Sequence, residues 1–222
     1  MHLKNRTNMA LEIKKFTVNM FGVNTYVVHD PVSRQAMLVD PGMISDSEHR
    51  TIEDYIHSCG LNVRYVVNTH LHLDHAFGNV RAAKDYAVTP MAHAADRELG
   101  QALPSQARMF GIPGNFTPVD NFRAIDYSDI LTLGNETVEI LHTPGHTPGG
   151  IALYAPGSGW VITGDTLFQG SIGRTDLPGG DYSRLIDSVT TKLLSLPDST
   201  IVYPGHGPST TIGYEKSHNP YV

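Results

Sequence analysis

A lone cysteine, Cys59, is all the thiol this 222-residue chain carries, so no disulfide can close within it. Its cysteine usage shows no adaptation to an oxidising compartment, and a buried helix position is the plainest role for that residue. Basic residues are also scarce, with 16 Lys plus Arg against 22 Asp plus Glu and a formal charge of −6. That balance lacks the positive footprint of a protein that grips phosphate backbones, so nucleic acid is not an expected partner. Long apolar runs are missing as well. No segment reaches the roughly 18 consecutive apolar residues of a membrane span. The first twenty residues carry Lys4, Arg6, Lys14 and Lys15 without the apolar stretch of a secretory signal. Neither membrane nor export is expected, and the expected location is cytoplasmic. Composition sets no oligomeric state.

What the chain does have is a 40% hydrophobic content, ample for a sizeable core. Residues 1–10 are polar and read as a disordered leader, leaving 11–222 as one domain. Strands are expected at 11–18, 25–30, 36–40 and 63–70, the first three as a meander, because each run is rich in branched or aromatic residues and closes on turn signals. Between the third and fourth, "SDSEHRTIEDYIHSCG" has capping residues, periodic apolar positions and a terminal glycine, which spell a helix. Helices are predicted over 76–86 and 93–102 with a strand near "AVTPM" between them. A long loop is predicted over 103–128, which holds Pro104, Gly111, Pro113, Gly114 and Pro118. Strands at 129–133, 136–142, 150–155, 160–164 and 200–203 and a helix at 181–195 complete the reading.

Against this frame "THLHLDHAFG" stands out, with His70, His72, Asp74 and His75 inside six positions. In an extended segment His70 and His72 point the same way, and Asp74 and His75 follow at the turn into a helix, so one short loop can serve two neighbouring metals. His146, Asp165 and His206 each fall just after another expected strand, as His70 does, which lets all four positions meet at one edge. Five histidines and two aspartates suffice for two catalytic sites of three protein ligands each, one carboxylate being shared. Asp165, with two oxygens, suits the bridge. The other histidines, His2, His29, His49, His57, His93, His142 and His218, read as ordinary surface or core residues.

The ordered motifs "THLHLDH", "TPGHTPGG", "TGDTLF" and "YPGHG" resemble those of the metallo-β-lactamase superfamily, over about residues 11–222. The resemblance implies an α+β fold, the αββα sandwich, with metals at one edge of its two sheets. It also implies a partition of ligands. One metal would take His70, His72 and His146, the other Asp74, His75 and His206, and Asp165 would bridge them, with Asp74 and Asp165 the catalytic carboxylates. Asp40 in "LVDPG" resembles the family's carboxylate that orients ligands from behind, although Asp-Pro-Gly is also a good turn. The expected cofactor is a pair of divalent ions, zinc first, with iron or manganese equally suited to the donors.

Within the superfamily, "LFQGSIGRTDLPGGD" and the segment from Gly205 onward most resemble single-domain enzymes of the glyoxalase II type. This implies hydrolysis of a small-molecule thioester such as S-lactoylglutathione by a metal-activated hydroxide. The 16 residues after His206 leave no room for the helical domain by which classical glyoxalase II grips glutathione, so Arg174 and Lys216 become the candidate cations for substrate carboxylates. An ion pair with Asp176 is the alternative role for Arg174, and simple solvation that for Lys216. The "GRTD" stretch also resembles persulfide dioxygenases, which use one iron. A noncatalytic metal-binding module and another hydrolase of this fold are the remaining alternatives.

Overall fold

The computed structural model describes residues 10–222; the leader expected at 1–10 lies, but for Ala10, outside them. The first sheet holds β1 (Glu12–Val18), β2 (Val23–His29), β3 (Gln35–Val39), β4 (Asn62–Val67), β5 (Met91–Ala92) and β6 (Arg123–Ala124), side by side in that order. The expected meander is its antiparallel half, and β4 to β6 add in parallel. The second sheet runs β14 (Thr210–Thr211), β13 (Ile201–Pro204), β10 (Trp160–Gly164), β9 (Ile151–Ala155), β8 (Glu136–His142) and β7 (Ile130–Leu133). A small hairpin of β11 (Leu167–Phe168) and β12 (Ser171–Ile172) stands apart.

Period-two alternation sorts the side chains into layers. Tyr26, Val28, Met37 and Val39 of the first sheet meet Ile140, Leu153, Trp160 and Ile162 of the second in a shared core. The alternate residues Val27, Ala36 and Leu38 pack outward with Ile52 and Ile56 of α1 (Asp46–Ser58). On the far side Ala152, Val161 and Val202 pack with Leu185 of α6 (Tyr182–Asp187) and Ile212 of α7 (Ile212–His218). The result is the expected αββα sandwich. With both faces covered, β2 is buried along its whole length, its polar Asn24, Thr25 and His29 included.

Several local expectations are corrected. The stretch 76–86 divides into α2 (Leu73–Ala76) and α3 (Asn79–Tyr86), so Asp74 and His75 are themselves helical. The strand near "AVTPM" shrinks to β5, and 93–102 becomes a 3₁₀ turn followed by α4 (Arg97–Gln101). The long loop over 103–128 contains α5 (Leu103–Met109) and β6. Pro104 sits in the first turn of α5, where a missing N–H costs nothing, so it starts a helix there instead of breaking one. Leu103, Ala107, Ile112, Val119 and Phe122 bury against Leu71 and Leu73, which seats this segment over the His70–His75 loop. The helix expected at 181–195 is α6 continued by a π-helical turn, Ser188–Leu193.

Candidate metal centre

His70 follows β4, His146 follows β8, Asp165 follows β10 and His206 follows β13, so four strands deliver ligands to one edge of the sandwich. The two sheets are tied together there. Ile151 donates its N–H to the Thr69 carbonyl, and Asn24 to that of Gly205. A side chain at Gly205 would collide with Asp165 Oδ1 and His75, so only glycine lets the β13 end approach this closely.

The seven candidate ligands come together. His70, His72 and His146 form one group whose ligating atoms lie within 4.8 Å of one another; Asp74, His75 and His206 form another, and His70, His75 and Asp165 a third. Asp165 stands between the first two. Its Oδ2 is 3.6 Å from Nε2 of both His146 and His206, and its Oδ1 is 3.4 Å from His75 Nε2. His72 Nδ1 and His146 Nε2 converge to 2.9 Å.

The opposite ring nitrogens are already engaged, which decides the atoms that face inward. His146 Nδ1 donates to the Arg174 carbonyl at 2.7 Å, and His75 Nδ1 to Asp40 Oδ2 at 3.0 Å. Asp40 is wholly buried and accepts the Thr69 N–H and hydroxyl, both at 2.7 Å. Its φ of +49° is the left-handed turn conformation that aspartate tolerates. The turn reading and the orienting reading of "LVDPG" thus describe one device, a strained turn that aims a carboxylate at His75.

The residues fit a cation. His70 Nε2 and Asp165 Oδ1 are buried with no hydrogen-bond partner, an expense native proteins rarely bear unless something binds there. Burial pushes the His75 imidazole toward neutrality, but Asp165, Asp74 and Asp40 outweigh it and hold the ring protonated well above the ordinary histidine range. Burial would likewise raise Asp165, yet His75, His146 and His206 bring it down. The cluster is therefore organised around positive charge, which a metal ion supplies while displacing the proton on His75. Nitrogen and carboxylate donors suit zinc, iron or manganese.

Chelated, metal-free protein should lose stability in mild acid. Burial, then repulsion from His146, lowers His72 to about 3, and burial, then His75, holds His70 well below its usual value. Both titrate near about 6.5 when unfolded. Their contribution is present above that pH and is lost as pH falls toward the folded values, at about 1.4 kcal/mol per pH unit for each ring. His75, raised instead, contributes fully below about 6.5 and loses its share as pH rises through its folded value, so it does not offset the acid loss. Denaturant midpoints measured between about pH 6.5 and 4 should decline. A flat profile would mean that these imidazoles titrate freely.

Arg174 lies at the pocket beside the centre, with its guanidinium closed on Asp176 by two bonds of 2.7 Å. Lys216 stands elsewhere. It is a residue of α7, its Nζ lies 2.5 Å from Asp198 Oδ1, and it is not among the residues lining the pocket. Asp96 has no counterpart in the sequence reading. Buried at the 3₁₀ turn, it accepts from the N–H of Leu71 at 3.1 Å, the Thr147 hydroxyl at 2.9 Å and the N–H of Gly149 at 2.6 Å. It thereby clasps the loop of His70 and His72 to the loop of His146. Nothing in the local sequence marks it, because its partners are remote along the chain.

Two back-to-back sheets with a His/Asp centre at their strand ends define a metal-site protein of the αββα class. The Metallo-beta-lactamase superfamily model matches residues 18–206, and the chain belongs to that superfamily. Hydroxyacylglutathione hydrolase GloC of Haemophilus influenzae is 39% identical over 215 residues, covering 96% of this chain and 98% of that protein. Among solved structures, the BLEG-1 B3 metallo-beta-lactamase is similar at 34% identity and a TM-score of 0.83, covering 95% of this chain and 99% of the other. TTHA1623, solved in a di-iron-bound form, is similar at 33% identity and a TM-score of 0.83, covering 94% and 100%. Among the described residues no helix is long and apolar enough to cross a membrane.

Proposed function

We propose that this chain is a binuclear metallohydrolase that cleaves small-molecule thioesters. The observation that carries the reading is Asp165, which stands between two three-residue ligand groups with its Oδ1 buried and unpartnered, at the wall of an open pocket. The name of the Haemophilus relative supports thioester chemistry, and the di-iron neighbour supports a two-ion site. His70, His72 and His146 would hold one ion, Asp74, His75 and His206 the other, and Asp165 both. Such ions supply Lewis acidity toward a carbonyl and bring the pKa of a water near neutrality. The protein's part is to hold donors in place: Asp40 fixes the His75 tautomer, the Arg174 carbonyl fixes that of His146, and Asp96 keeps their loops in register. A thiolate with a pKa of about 8.5 departs unaided, so the site needs no proton donor for the leaving group. Arg174 acts here through its backbone, because its guanidinium is spent on Asp176.

Elemental analysis of purified protein, thiol release from S-lactoylglutathione and from a neutral acetyl thioester, and oxygen uptake with glutathione persulfide test this together. We expect close to two ions per chain and thiol release without oxygen uptake. One iron per chain with persulfide-dependent oxygen uptake, or no thiol release from either ester by fully loaded protein, overturns the reading.

A further inference from the structure

The cavity at the ligand cluster has a volume of about 680 Å³, ample for a drug-sized molecule. Beyond the ligands its walls are largely apolar: Phe21, Leu99, Met109 and Phe110 on one side, Phe168 and Leu177 on the other. Three of these are unusually exposed for their type, Met109 at 67%, Phe110 at 43% and Phe21 at 36%. The rings of Phe21 and Phe110, which come from remote parts of the chain, meet edge to face at 5.7 Å. A concentrated apolar surface of this kind, continuous with a reactive centre, marks a binding site.

The polar side chains in the same wall offer little to a ligand. Ser105 donates to the Ala102 carbonyl at 2.7 Å, and Ser171 to that of Ile172 at 3.5 Å. Gln106 donates to the Leu99 carbonyl at 2.8 Å and accepts the Leu73 N–H at 3.2 Å. Arg174, the one Lys or Arg among the described lining residues, is neutralised by Asp176. Beyond the ion centre, a substrate carboxylate would find no unpaired lysine or arginine among the described lining residues.

From this we infer that the site selects thioesters carrying an uncharged, apolar arm of several carbons, and does not select the doubly carboxylated glutathione conjugates. The inference rests on the thioester reading for its reacting bond, but the arm's recognition is a property of the pocket alone. The apolar arm could belong to the acyl group or to the thiol, and both ends are tested.

The deciding measurement is calorimetric binding of non-hydrolysable thioethers to the metal-loaded protein. S-alkyl derivatives of N-acetylcysteamine from methyl to hexyl should bind about two- to fourfold more tightly per added methylene, the value of burying one such group. S-methylglutathione should bind no better than S-methyl-N-acetylcysteamine. In F110Q the gain per methylene should shrink while metal content stays the same. Affinity that is flat with chain length, or tighter for the glutathione thioether, overturns the inference. Hydrolysis is measured alongside, on N-acetylcysteamine thioesters of increasing acyl length and on thioacetates of increasing thiol length, and a rise in kcat/KM along either series locates the arm. Chain-length-dependent binding without hydrolysis of any thioester would sink the proposed reaction and leave the pocket's preference standing. Cleavage of S-lactoylglutathione with flat thioether binding would do the reverse.

Discussion

Replacing Asp165 with Asn is expected to cut turnover by about 100-fold or more and to leave no more than one tightly held ion per chain. The substitution is isosteric, so the side chain still fits between His75, His146 and His206. What changes is charge and donor capacity. A carboxylate can give one oxygen to each ion, whereas an amide turns an N–H₂ toward one of them and carries no charge. Removing a group that merely orients a ligand typically costs 10–100-fold in affinity or activity, so roughly that is the floor for a shared ligand. The thermal transition of the metal-free variant should fall below that of the metal-free parent, since the Asp165 charge is the first of those that hold the buried His75 ring protonated. Metal content and rate both unchanged would show that Asp165 is not shared between ions.

The second large effect should come from Asp96, which never touches the pocket. In Asp96→Ala the Leu71 and Gly149 N–H groups and the Thr147 hydroxyl lose their common acceptor in the interior. Each stranded donor costs about 1–3 kcal/mol, so a loss of roughly 3 kcal/mol or more is expected in equilibrium denaturation. Part of that is regained, because burial pushes the Asp96 carboxyl above its usual pKa and makes it an expensive group to keep charged. Asp96→Asn retains an acceptor oxygen and should cost clearly less than alanine. Metal affinity should fall with stability in both variants, because the clasped loops carry His70, His72 and His146. A loss below about 1 kcal/mol in the alanine variant would mean that water replaces the carboxylate and that the clasp is not structural.

Much of this could be read from the chain because it is local. Strands declared themselves by branched and aromatic residues closed by turn signals, and the immediate neighbours of the shared-core residues Tyr26, Val28, Met37 and Val39, namely Val27, Ala36 and Leu38, face the outer helices. The density of "HLHLDH" and the recurrence of His or Asp after strands needed no partner to be noticed. Short pieces were read less well. Pro104 looked like a breaker because its effect depends on where the helix starts, and α7 went unnoticed because its apolar contact is with the second sheet.

The sequence by itself determined the kinds of donor, their spacing in the first loop and their positions after strands. Backbone periodicity dictates these, acting over a few residues. Only the tertiary structure decided which donors meet, that Asp40 backs His75, that Asp96 joins two loops, that Arg174 is closed on Asp176 and that Lys216 turns to Asp198. His75 and His206, 131 positions apart, come within 3.3 Å because β4 and β13 end at the same edge of facing sheets. No periodicity encodes that distance. It is set by strand order and by the packing of one sheet on the other, which bury the apolar faces of the whole chain at once.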